Sequence, residues 1–503
     1  MSATARQKLA VVVAGAVAVG LLGVVAVRDR SSESEAPAAP TGTVATTPSK
    51  AIDVVDLTTP EQAAIAVSSR LFASADMAVL TDQDSKADAI AAAIRLQVPI
   101  LLDDPATPAE LTRLRASTVL TFGTVSNVFG AVPAESDPAV LDNQIAELQA
   151  TQPAAIPQDG AASVVDAVVL MKSAKTFDIA AASVKVSGAT VVQTTQGDLR
   201  KDSTTAAALA ARPDSSVIAL GSPFTEAFSY SLAAVQQEAT QIGGGYFALP
   251  GRRFVGLHGK IGDPTSGMLG QQNTAASIKL IKTAAAKFAA NDSGPIVPMF
   301  EIVATSASAT PGKDKNYSDE VSPADLEPVI DAAEKAGLYV LIDLQPGTST
   351  FLAQAKVYED LLARKNVGLT LEPAYRVEGD TDPTDATGGV SAGEINQVAN
   401  WLADLTARNS LPQKLLVVRE LSPATILGRA DIDTSRPELS VVLGVDVAGS
   451  PSTKLAAWKT ARSGAPQGAS FGWMQFKSKD KPLFTVNQTY KRIKPYPSVI
   501  TYQ

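Results

Sequence analysis

The amino-acid sequence predicts an α/β protein with an N-terminal membrane anchor, a Rossmann-like two-repeat domain and a (β/α)8-barrel-like domain. Three observations carry the barrel reading. Between residues 296 and 376, three short apolar runs each stop on a carboxylate: IVPMFE on Glu301, LYVLID on Asp343 and VGLTLE on Glu372. Helix-like segments separate them, such as PADLEPVIDAAEKA (323–336) before Gly337. Strands alternating with helices of this length indicate parallel βαβ units, because a parallel connection must cross over the sheet. Similar runs lie on both sides, RFVGLHG (253–259) before and KLLVVRE (414–420), LSVVLGVD (439–446), ASFGWMQF (469–476) and SVITYQ (498–503) after. About eight strands thus fall in roughly 250 residues, the size of a barrel of this kind.

The first element is an uncharged, mostly apolar run at 9–27, preceded by Arg6 and Lys8 and followed by Arg28, Asp29 and Arg30. At about 1.5 Å per residue it matches the roughly 30 Å hydrocarbon thickness of a bilayer. Residues 1–30 are therefore expected to be a single-pass anchor with the bulk of the chain extracytoplasmic. A cleaved signal peptide, with APAAP (36–40) as the cutting site, is the rival reading and would make the protein secreted. Residues 31–53 begin with SSESEAPAAPTGTVATTPSK, a composition that predicts a disordered spacer.

Residues 54–245 hold an internal repeat. Copy one runs from DMAVLTDQDSKADAIAAAIRL to Gly123, and copy two from DAVVLMKSAKTFDIAAASVKV to Gly221. Each predicts a strand, an Asp (Asp88 or Asp178) opening an Ala-rich helix, a second strand, a helix, and a strand ending in Gly. An Asp at a helix start caps free N–H groups and complements the dipole. Asp82 and Asp84 hint at a metal loop, but no Gly or Glu follows at calcium-loop spacing, and a solvated loop is expected. GGG at 243–245 lacks phosphate-loop spacing and marks a turn into the domain at 246–503.

AIAVSSRLFASADMAVL, ADAIAAAIRLQVPILLDD and ELTRLRASTVLTFG resemble the second type of cell-wall-binding repeat, found on exported bacterial proteins. The resemblance covers about residues 60–240, with TTPEQAA (58–64) in place of the usual Gly-x-Asp-Arg-Tyr lead-in and two copies where three are usual. It implies retention on a cell-envelope polysaccharide. The segments FVGLHG, MFEIVATSAS, VGLTLEPAYR and FGWMQF are similar to an uncharacterised barrel-like domain found behind such repeats, which implies an envelope location and no particular activity.

Composition narrows the chemistry. The 503 residues carry a net charge of −8, no cysteine and one histidine. A nucleic-acid partner would call for a basic patch, and disulfides, thiolate catalysis, cysteine-bound zinc and a Ser-His-Asp triad have no residues to build them. No cofactor and no metal is expected. The acids at strand ends are the candidates, because barrel enzymes collect catalytic groups there and glycoside hydrolysis needs two carboxyls. Glu301, Asp343 and Glu372 are the expected catalytic residues. His258, Gln345, Tyr375, Arg376, Glu420, Asp446, Trp473 and Gln475 are expected to bind substrate, with Trp473 and Tyr375 as stacking platforms for sugar rings. In the competing reading, the acids pair with Arg376 or Arg419 and the barrel is a non-catalytic envelope scaffold.

Overall fold

A computed structural model describes residues 42–151, 165–221, 224 and 227–503. Gly42–Gln503 form one compact unit. The predicted anchor and the first part of the spacer lie outside the described residues. Among the described residues, no helix is long and apolar enough to cross a membrane.

The spacer is shorter than its composition suggests. Val44–Ala45 pairs with Phe72–Ser74, and Ile52–Val55 is already a strand, β1. Next come α1 (Pro60–Leu71), β2 (Met77–Thr81), α2 (Lys86–Leu96), β3 (Ile100–Leu102), α3 (Thr107–Leu114), β4 (Thr118–Phe122), β5 (Ala131–Pro133) and α4 (Pro138–Thr151). The second copy supplies β6 (Ala167–Met171), α5 (Asp178–Ser187), β7 (Thr190–Gln193), α6 (Ser203–Ala210) and β8 (Ser216–Leu220), and α7 (Ala227–Gln236) follows. The copies build two parallel four-stranded sheets of matching order, β3-β2-β4-β5 and β7-β6-β8-β1. The fourth strand of the first sheet comes from downstream, that of the second from upstream. β1 therefore ties the start of the chain to its second copy.

Small side chains let these layers approach closely. Ala63, Ala64, Ala66 and Val67 of α1 are all buried, and Lys86 of the first copy pairs with Asp178 of the second at 2.9 Å. Asp82 accepts from the backbone N–H of Ser85 and of Thr124, each at 2.8 Å. It pins two loops together in place of a solvated charge.

The barrel follows: β9 (Arg253–Gly259), α8 (Thr274–Ala289), β10 (Ile296–Ala307), α9 (Pro323–Lys335), β11 (Tyr339–Leu344), α10 (Phe351–Val357), β12 (Val367–Leu371), α11 (Ala392–Arg408), β13 (Lys414–Glu420), β14 (Leu439–Val445), α12 (Pro451–Arg462), β15 (Ser470–Gln475), α13 (Val486–Arg492) and β16 (Val499–Tyr502). All eight strands are parallel, and β9 pairs with both β16 and β10, which closes the sheet. Local signals set the helix ends. Ser322, Ser391 and Ser450 each accept a backbone N–H at the start of α9, α11 and α12. Gly337 takes φ +74 just after α9, where a side chain would be strained. Phe254, Met299, Tyr339, Leu341, Leu415, Val417, Val442 and Val499 fill the lower barrel, so it is a packed core and not a pore.

The repeat layers seat against the barrel's lower end. Tyr230 of α7 donates to the Leu411 carbonyl at 2.9 Å, while Gln241 donates to the Gln413 carbonyl at 2.7 Å and the Ala248 N–H to the Gln413 side chain at 2.9 Å. Tyr230→Ala should cost about 3–5 kcal/mol, the range for truncating a buried aromatic. It should also split one calorimetric transition into two. A variant that still melts in one step would place the coupling elsewhere.

Candidate active site

Strand alternation decides which side chains face the barrel axis, because successive residues point to opposite sides of the sheet. The register sets His258 beside Glu301, Asp343 beside Thr370, and Arg419 beside Gly444. These residues, with Thr501, form a polar layer above the apolar filling. Glu301 does not end its strand: β10 continues to Ala307, which leaves Glu301 deep in the barrel.

Glu301 and Arg419 are 0% and 2% exposed. Arg419 donates through Nε to Glu301 at 3.0 Å and through Nη2 to the other carboxylate oxygen and to Thr501 Oγ1. Thr370 donates to the same carboxylate at 3.0 Å. A Cβ on residue 444 would lie 3.1 Å from Arg419 Cδ, so Gly444 makes room for the guanidinium.

Above this pair, His258 Nε2 lies 3.0 Å from Asp343 Oδ2 and 3.8 Å from Glu372 Oε1. Burial opposes charge on the imidazole, but its bonds to Asp343 and Glu372 outweigh that and lift its pKa to about 10. The two acids are driven apart. Burial, reinforced by the charge of Glu372, pushes Asp343 well above the ordinary carboxylate range. Glu372 is buried too, yet its bond to His258 and the imidazolium charge bring it below that range. Asp446, just past the end of β14, is pushed up to about 6 by burial and by the charge of Glu372. Among these four acids only Asp446 keeps partial exposure.

Gln345 donates to Glu372 at 3.4 Å and accepts the Ala307 N–H at 3.0 Å. Tyr375 is half-buried, and its hydroxyl pKa is raised foremost by the charge of Glu372, which sets the ring beside that acid. Oδ1 of Asp343 and of Asp446 is buried without a hydrogen bond from the described residues.

Four expected site residues lie elsewhere. Glu420 follows Arg419 and so faces outward, where Arg429 grips it through both carboxylate oxygens. Trp473 is 1% exposed in an outer aromatic cluster with Trp458 and Phe484, at ring separations of 5.7 and 5.5 Å. It offers no face to a sugar. Gln475 also points outward and accepts the Phe484 N–H at 3.2 Å. Arg376 turns to Glu394 at 3.4 Å and to its neighbouring carbonyl. Sequence reasoning missed Thr370 and Thr501, which carry no motif of their own. It placed Arg419 only as one of two partners for the acids.

His258, Asp343 and Glu372 present one ligand atom each within 4.8 Å of one another, a spacing that one cation could bridge. Here His258 Nε2 faces both acids across that gap, at 3.0 and 3.8 Å. The fold and site define a closed parallel (β/α) barrel with a carboxylate cluster at its C-terminal mouth. The chain matches no protein-family model and no curated protein.

Removing one partner of a buried pair leaves a stranded charge. Arg419→Met should therefore cost about 3–5 kcal/mol, and adding Glu301→Gln should recover part of it. Urea melts in which the double variant is no more stable than the single one would discount the pair. The pH dependence has a definite sign. His258 gains protons on folding, so its contribution is complete below about pH 6.5 and is lost as pH rises through about 10. His258→Gln should flatten the fall in stability over that window, and an unchanged slope would rule the imidazolium out.

Proposed function

We propose that this is a cell-envelope protein whose barrel hydrolyses glycosidic bonds with Glu372 and Asp446. The observation that carries the reading is the divergence of neighbouring carboxyls at one barrel mouth. One is held ionised and one is held up near neutral pH, which is how acid and base roles are assigned in such sites. Asp446, partly exposed, donates its proton to the glycosidic oxygen as the C–O bond breaks. Glu372 acts on the opposite side as nucleophile or as base toward water, and the product's anomeric configuration distinguishes the two. Asp343 is covered and acts through His258, whose charge keeps Glu372 ionised. Tyr375 is the platform for the sugar ring.

The likeness of residues 60–240 to cell-wall-binding repeats supports retention on an envelope polysaccharide. The apolar run at 9–27 supports a single-pass tether with the bulk of the chain outside the cytoplasm. A scaffold without catalysis is the second reading, favoured by the complete burial of Glu301 and Asp343.

The test incubates the full chain with purified envelope polysaccharides and measures retention and reducing-end release together. Glu372→Gln and Asp446→Asn should each lower turnover by at least about 100-fold, the reach of acid–base catalysis, while retention persists. Activity should fall as pH rises past about 6, where Asp446 loses its proton, and fall again in strong acid as Glu372 gains one. Chelation should leave turnover unchanged. Retention without any release, in wild type and variants alike, decides for the scaffold.

A further inference from the structure

We propose a second binding site, on the outer wall of the barrel, for a single acyl chain carrying an anionic headgroup. It goes beyond the glycan reading and shares no residue with that site. Helices cover the strands unevenly where β16 meets β9. α8 has 16 residues, about 24 Å of helix, whereas α13 has 7, about 10 Å. Between them lies a cavity of about 400 Å³, within the roughly 300–1,000 Å³ of small-molecule sites.

Its chemistry is lopsided. Leu257 and Tyr502 form the floor, on the outward face of their strands, and Met268, Phe288, Leu483 and Phe484 form the walls. Leu280 stands at the lip, 38% exposed. The only charged residues in the lining are Lys287 and Lys477, and no carboxylate joins them. Neither lysine amine is in an ion pair among the described residues, in a chain whose net charge is −8. An apolar slot with two free cations at its opening suits an aliphatic tail that ends in an anion. The slot's volume favours a free single-chain amphiphile over a two-tailed membrane lipid.

The full chain titrated with cis-parinarate, a fluorescent polyene fatty acid, should show saturable one-to-one binding that laurate displaces and dodecanol does not. Ala284→Trp fills the slot, and the paired Lys287→Glu, Lys477→Glu changes reverse the rim. Each should weaken cis-parinarate binding by at least about tenfold, close to 1.4 kcal/mol. Both lysines are exposed, so the charge variant reads out binding even if the tryptophan lowers the melting temperature. Variants that bind within about twofold of wild type overturn the site. Displacement by dodecanol equal to that by laurate removes the anion from it. Binding of phosphatidylglycerol vesicles that depends on the two lysines, without laurate binding, makes the surface a membrane contact instead.

Discussion

The pair between Arg419 and Glu301 crosses the inside of the barrel and draws four strands together. Glu301 comes from β10, Arg419 from β13, Thr370 from β12 and Thr501 from β16. Taking two charges out of water is expensive, and only close geometry with further hydrogen bonds offsets it. The two threonines supply part of those bonds. The pair also marks a boundary: below it the interior is aliphatic and aromatic, and the carboxylate cluster lies above it.

That boundary shapes the electrostatics of the mouth. Glu301 is paired with Arg419, yet its charge still adds to the upward push on Asp343 and Asp446. His258 stabilises charge on both Glu372 and Asp343, but burial and the charge of Glu372 still push Asp343 up. Like charges at this separation disfavour joint ionisation, and burial makes Asp343 the acid that is pushed up. Asp446 feels the same Glu372 charge from a more open position. Burial of its carboxyl and the Glu372 charge together lift its pKa to about 6.

The repeat layers show a related economy. Two copies give the same strand order, yet the outer strand of one sheet is borrowed from the start of the chain. β1 pairs with β8 across more than 150 residues of sequence. This long-range pairing commits residues that look like spacer to the fold, and it sets the repeat layers as one body against the barrel floor through Tyr230, Gln241 and Gln413.

Much of the fold was legible in the residues themselves. The apolar runs became the eight barrel strands, and the segment opening at Pro323 became α9, because period, caps and glycine stops act over a few residues. The duplication was legible for the same reason. The membership of the site was only half so. His258, Asp343, Glu372 and Asp446 meet at the mouth as their strand ends suggested, and Gln345 and Tyr375 join them. Glu420, Trp473 and Gln475 belong to the outer wall instead, and Arg419, one residue before Glu420, holds the centre. A strand buried on both faces shows no alternation of polar and apolar residues, so its sequence does not reveal which of two adjacent charges points inward. Only closure of the sheet, with its pairing register, makes that choice.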